Sequence, residues 1–313
     1  MGSTLTKSIL AALLSLCMIF LCSCSILDGD PVVLSDEEVE KLTESAETDD
    51  ELLLSSYTSK TPSSNNGVWT ITHPDGQTPR LENGILKSFD TLLELNPDIV
   101  GWITIPGTVI DYPVVQGTDN DFYLHHNIYG DDDKNGTLFI HYKNPFGPEY
   151  ESRVTLIFGH HMRSGIMFED LMQFDITSNP DALEFYRNSG VFTYDSLYTE
   201  GYWVVFSVMK INTLEAHGDI FRFMVSDFDD SQTAEYQAYI DEIRSRSVID
   251  TSSVVDVTTD DRIIIMSTCS YEYDNFRTLI AARQIRPDET TFDLTKAFKA
   301  ENPVMPEVWD IAY

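Results

Sequence analysis

Apolar and polar positions change their rhythm several times along the chain. Residues 9–27 are almost wholly apolar apart from small and thiol side chains. Residues 28–67 are polar, with eleven Asp or Glu up to Glu51 opposed only by Lys41 and Lys60. High charge with few aromatics predicts a mobile or weakly helical spacer. Helical spacing of Ile85, Phe89, Leu92 and Leu93 predicts a helix over 81–95, ended by Pro97. Short apolar stretches then alternate with Gly, Pro, Asp and Asn. They predict strands at 100–105, 109–115, 136–140, 154–159, 191–194, 202–211, 262–267 and 278–285. A helix is expected over 231–246, with Ala234, Tyr236, Tyr239, Ile240 and Ile243 as its stripe. Short helical turns are expected at 168–174 and 181–186. Eight strands with few helices predict a mainly β fold closed into a barrel, because closure removes exposed edges. The expected organisation is a leader at 1–27, a linker at 28–80, one domain at 81–285 and a tail at 286–313.

Composition narrows the function. The formal net charge of -31 argues against nucleic acid, whose phosphates need clustered Lys and Arg. It also argues against electrostatic docking on an anionic membrane surface. The membrane enters instead through the N-terminus. Lys7 is the only charge before Asp28, and the 19-residue, almost wholly apolar stretch at 9–27 is just long enough to span a bilayer. The sequence L-C-S-C at 21–24 resembles a bacterial lipobox, in which Cys24 would be lipidated. An uncleaved signal anchor is the competing reading. Either one puts the rest of the chain on the extracytoplasmic face of the membrane.

The cysteines sort by place. Cys17, Cys22 and Cys24 lie in the leader, which leaves Cys269 alone in the domain. A disulfide framework and a Cys-based zinc site are thereby excluded there. No His pair has metal-ligand spacing on a helix, so neither metal nor cofactor is expected. An unpaired Cys in an exported domain is either a buried, inert filler or a reactive thiol. Cys269 ends the apolar run Ile263–Met266, where a rigid strand opens into a loop. A thiol needs a base or a positive neighbour to ionise near neutral pH. His160 and His161 follow another apolar strand and, as neighbours on extended chain, should face opposite ways. The other five His lie in turn-rich or charged segments and read as surface or structural groups. A tight hairpin through 272–275 would return Arg277 beside Cys269, where a guanidinium stabilises a thiolate or an oxyanion. An ion pair of Arg277 with Glu272 or Asp274 is the simpler alternative.

Three blocks carry a family resemblance. The first is S-T-C-S-Y-E-Y-D-N-F-R at 267–277. The second is F-G-H-H-M at 158–162 with G-I-M-F at 165–168. The third is N-P-D-I-V-G-W-I-T-I-P-G at 96–107, followed by I-D-Y-P-V-V-Q at 110–116 and D-N-D-F-Y-L at 119–124. Together, in this order, they resemble class B sortases over about residues 81–284. The resemblance implies an eight-stranded sortase-like barrel, with an N-terminal helix and a helix inserted before the Cys strand. It implies His160, Cys269 and Arg277 as catalytic residues. It places Asn120 and Leu124 along the peptide groove, with Ser267, Thr268 and Tyr271 as further substrate contacts. The partners implied are secreted proteins bearing a C-terminal sorting signal, and a peptidoglycan precursor or pilin amine as acceptor. Three features depart from the family pattern. Position 161 is His where Asn is common, the tail is long, and a lipobox-like leader replaces the usual anchor. The rival from another class is a non-catalytic surface lipoprotein that binds a ligand through its barrel and keeps Cys269 inert. A papain-like hydrolase is disfavoured because His160 precedes Cys269.

Overall fold

In a computed structural model, the described residues are Leu54, Tyr57, 62–162, 165–270 and 276–307, with Met162, Cys269 and Ser270 described by their backbone. The leader with Cys24, and Tyr271, lie outside them. The strands in chain order are β1 (Ser63–Asn65), β2 (Val68–Thr70), β3 (Ile99–Thr104), β4 (Asp111–Val115), β5 (Leu138–Ile140) and β6 (Val154–Phe158). They continue with β7 (His161–Met162), β8 (Ile166–Met167), β9 (Val191–Ser196), β10 (Tyr202–Asn212) and β11 (Ile249–Asp250). The last four are β12 (Ile263–Ser270), β13 (Phe276–Gln284), β14 (Thr291–Asp293) and β15 (Phe298–Lys299).

Eight of them close a barrel in the order β10-β13-β12-β6-β5-β4-β3-β9, with β9 returning to β10. These are the eight stretches expected from the apolar pattern. The pairs β4–β5 and β6–β12 are parallel; the other barrel pairs are antiparallel. Ile263 to Met266 of β12 are fully buried, as a continuous apolar run in a central strand should be. The neighbours across the sheet are equally dry: Leu156 and Ile157 in β6, Leu279 and Ile280 in β13.

The helix Thr233–Ser245 lies between β10 and β12 in sequence and buries Tyr236, Tyr239, Ile240 and Ile243. Ala234, expected in that stripe, is exposed. A short turn over Asp230–Gln232 precedes the helix, capped by Asp229 and Gln232 in a reciprocal box. The expected helix at 81–95 is shorter. A turn at Lys87–Phe89 leads into helix Asp90–Leu95 only. Gly84 takes φ +86° and its N–H donates to Leu81 O at 3.0 Å, so a turn occupies the place of the first helical coil.

Two segments read as spacer and tail carry strands. β2 pairs with β1 on one side and with β14 on the other, so the two ends of the domain share a small sheet. Trp69 anchors it, 1% exposed, with its indole N–H donating to Arg187 O at 2.8 Å. β15 pairs with β11, next to the inserted helix. Both pairings join residues far apart in sequence, which a local pattern does not reveal. No helix among the described residues is long and apolar enough to cross a membrane.

Candidate functional site

Strand register gathers the three expected catalytic residues at one end of the barrel. Cys269 stands opposite Arg277 in the antiparallel β12–β13 pair. The parallel pairing of β6 with β12 sets Phe158 level with Ser267. Two residues further along each chain come His160 and Cys269. Gly159 N continues this pairing by donating to Ser267 O at 3.2 Å. A Cβ at Gly159 would meet Leu138 Cδ2 at 2.4 Å and Phe168 Cδ2 at 2.6 Å. Only glycine lets the strand pass this point toward His160.

The two neighbouring histidines diverge, as extended chain requires. His160 Nε2 donates to the Leu124 carbonyl at 2.8 Å, which leaves Nδ1 as the second ring nitrogen. Phe168 N donates to His160 O at 2.9 Å and fixes the backbone. His161 turns to Glu169, with Nε2 2.9 Å from Oε2. Leu124 therefore meets His160 through its main chain, from the short helix Phe122–His125.

Asn120 is engaged with a histidine that sequence reasoning had set aside. Tyr142 N donates to Asn120 Oδ1 at 3.1 Å, which fixes the amide's orientation. Asn120 Nδ2 then lies 2.8 Å from His141 Nδ1, an arrangement in which a neutral imidazole accepts at that nitrogen. Burial, with Lys143 nearby, holds His141 below the ordinary imidazole pKa and agrees with that neutral form. A readable signal existed: His141 follows the apolar strand β5 directly, as His160 follows β6 by two residues.

Ser267 and Thr268 are buried, and neither hydroxyl has a hydrogen-bond partner among the described residues. Beside Thr268, its cross-strand partner Thr278 accepts from Lys210 Nζ at 2.8 Å. Lys210 is itself paired with Asp175 at 2.8 Å, and both side chains are fully buried. Burial opposes ionisation of Asp175. Lys210 and the hydroxyls of Thr177 and Ser178 outweigh it and hold the carboxyl below its ordinary pKa. This pair went unread in the sequence, although a Lys inside the apolar run of β10 marks a buried charge that needs a partner.

Among the described residues, no group of three or more His, Cys, Asp or Glu is placed to hold a metal ion. A cavity of about 620 Å³ opens between β11, the inserted helix and the C-terminal tail, and shares no residue with this site.

Known proteins with the same organisation were found in sequence and in structure. The sortase domain family model matches residues 103–285. Sortase B of Listeria monocytogenes is 34% identical over 200 residues, covering 64% of this chain and 74% of that protein. Sortase B of Staphylococcus aureus is 31% identical over 204 residues, covering 64% of this chain and 76% of that one. A solved Staphylococcus aureus sortase B–substrate complex superimposes with a TM-score of 0.54 at 30% identity, over 66% of this chain and 88% of the other. A Bacillus anthracis sortase B structure in complex with AAEK2 gives a TM-score of 0.58 at 26% identity, over 82% of this chain and all of that one. With the family model spanning more than half of it and two sortase B relatives at 34% and 31% identity, the chain belongs to the sortase family of transpeptidases, in its class B branch.

Proposed function

We propose that this transpeptidase works through a thioester on Cys269. Its substrate is a C-terminal sorting motif on a secreted protein, and its acceptor an amine of a peptidoglycan precursor or a pilin. The observation that carries this reading is the register of β6, β12 and β13, which sets Cys269 opposite Arg277 and level with the stretch bearing His160.

The Cys269 thiolate attacks the Thr carbonyl of the sorting motif, forming an S–C bond and an oxyanion that the Arg277 guanidinium stabilises. The C–N bond breaks as protonated His160 gives its proton to the leaving amine. With Nε2–H committed to the Leu124 carbonyl, the proton that moves is the one on Nδ1. The acceptor amine then attacks the thioester, returns a proton to His160 and frees the thiolate. One amide bond replaces another, and no redox partner is needed. Ser267 and Tyr271 line the substrate in this reading, together with Asn120 and the side chain of Leu124, while Thr268, opposite Thr278 and Lys210, backs the site. The N-terminal apolar segment holds the domain at the extracytoplasmic face of the membrane, by an anchor or through lipid on Cys24.

The test is incubation with a library of sorting-motif peptides, with and without an added amine, followed by mass spectrometry of the protein and the peptide products. The expected result is an acyl adduct on Cys269 that the amine discharges. In Cys269→Ala, turnover should fall by at least roughly four orders of magnitude. No adduct with any peptide, and a variant identical to the parent, would sink the reading in favour of a non-catalytic binding protein.

A further inference from the structure

Arg277 is only as well placed as the chain around it. Phe276, one residue before it, opens β13 and pairs with Ser270 at the end of β12 and with Asn212 at the end of β10. Past Asn212 the chain makes a tight turn through Glu215–His217. Asn212 Nδ2 holds that turn from the strand side, donating to Leu214 O and to Gly218 O, each at 2.9 Å. The His217 ring stacks on Phe276, with centroids 5.0 Å apart and planes 19° apart. This stack joins the turn to the strand that carries Arg277.

The same turn is held from its other side by the C-terminal tail. Ala300 N donates to Val248 O at 3.0 Å, and Val304 N to Ser245 O at 2.8 Å. Glu307 N then donates to His217 O at 3.0 Å. Gly218 has φ +103°, and a Cβ there would meet Glu307 Cγ at 2.8 Å. The turn needs glycine both for its backbone and for the tail's approach. The tail begins at the opposite end of the barrel, where β13 finishes, and travels back to the end that holds Cys269. It lies beyond the region matched by the sortase family model, which stops at residue 285.

We propose that residues 304–307 are a brace that positions His217, and through its stack on Phe276 sets Arg277 against the bound peptide. His217 is on this view a positioning residue whose place depends on the tail. The functional half of the proposal rests on the transpeptidase reading above; the structural half does not.

Two variants test it: a chain ending after Pro303, and the full chain with Glu307→Pro, which removes the N–H given to His217 along with the side chain beside Gly218. Amide hydrogen exchange at His217, Gly218 and Phe276 should quicken by about tenfold or more in both, while the barrel strands keep their protection. With a peptide that the parent turns over, kcat should fall roughly fivefold or more while KM stays within about twofold, as the loss of an oxyanion contact requires. Unchanged exchange at these three amides overturns the brace. Faster exchange with kcat unchanged, or a rise in KM alone, overturns its role in placing Arg277. Absence of turnover in the parent counts against the transpeptidase reading, while the exchange result still decides whether the tail holds the turn.

Discussion

Strands β12 and β13 run between two ends of the barrel that are built from different chemistry. At the end away from Cys269, charge meets charge. Arg283 makes a two-point pair with Glu289, Nη1 to Oε2 at 2.6 Å and Nη2 to Oε1 at 2.8 Å. Arg286 does the same with Asp261 at 2.8 and 2.7 Å and reaches Asp256 at 3.0 Å. Arg262 is 2.5 Å from Glu151. Among the described residues, Arg283 Nε and the nearby Tyr194 hydroxyl are buried donors left without partners there. At the Cys269 end the polar groups are mostly neutral and several are incomplete: Ser267 Oγ, Thr268 Oγ1 and Asn212 Oδ1 are buried without partners among the described residues. A buried hydroxyl left unmade costs about 1–3 kcal/mol. One end is thus mostly satisfied within the chain by ion pairs. The other keeps groups whose partners must come from elsewhere or whose cost is tolerated. On the proposed function, the difference separates residues that hold the fold from residues that would meet a substrate.

Lys210 and Asp175 are the sharpest test of where that division falls, since their pair is fully buried yet touches Thr278 behind the Cys269–Arg277 rung. Lys210→Met strands a carboxylate in a dry interior and should cost about 3–5 kcal/mol in denaturant unfolding. Lys210→Met with Asp175→Asn should recover much of that loss. The pH dependence follows from the depressed pKa of Asp175. A carboxyl with a lowered folded pKa contributes stability above its ordinary value, and that stability is lost as pH falls through the folded value. The parent should therefore lose this contribution only in acid. In Lys210→Met the largest lowering cause is gone, only the Thr177 and Ser178 hydroxyls still oppose burial, and the acid-side loss should shrink. Equal stability of parent and Lys210→Met would show that the pair is not structural.

A smaller effect is expected at the charged end. Glu289→Gln leaves Arg283, which is fully buried, facing a neutral amide, and should lower stability by about 1.5–3 kcal/mol. Measured on folded protein, kcat/KM should stay within about twofold of the parent. A large loss of kcat/KM at full folding would mean that the two ends are coupled, and would erase the contrast.

The contrast also explains what the sequence made legible. The barrel strands were readable because their burial pattern is local: an apolar run such as Ile263–Met266 carries its own signal. Cys269 and His160 were readable for the same reason, each falling where such a run ends. Strands β2 and β14 were not, because Trp69 and Phe292 are buried only once segments from both ends of the domain pair. His217 reads as a surface residue in a charged stretch. It gains its place from Phe276 and Glu307, two partners far along the chain. Whatever depends on distant pairing stayed hidden, including the tail's return to the site.

The weakest perturbation separates the two unpartnered hydroxyls. Thr268 stands opposite Thr278, on the side where Lys210 and Asp175 fill the interior. Thr268→Val keeps the shape and removes a hydroxyl that makes no bond among the described residues. Stability should be unchanged or rise by up to about 1 kcal/mol, and KM for peptide should not move. Ser267 lies two residues before Cys269, level with Phe158. Ser267→Ala should be equally mild in unfolding. If its hydroxyl awaits the substrate, KM should rise by roughly fivefold or more, the loss of one neutral hydrogen bond. Thermal or denaturant unfolding read beside steady-state kinetics distinguishes them. A KM change in Thr268→Val with none in Ser267→Ala would reverse the assignment and place the substrate contact on the Lys210 side of the sheet.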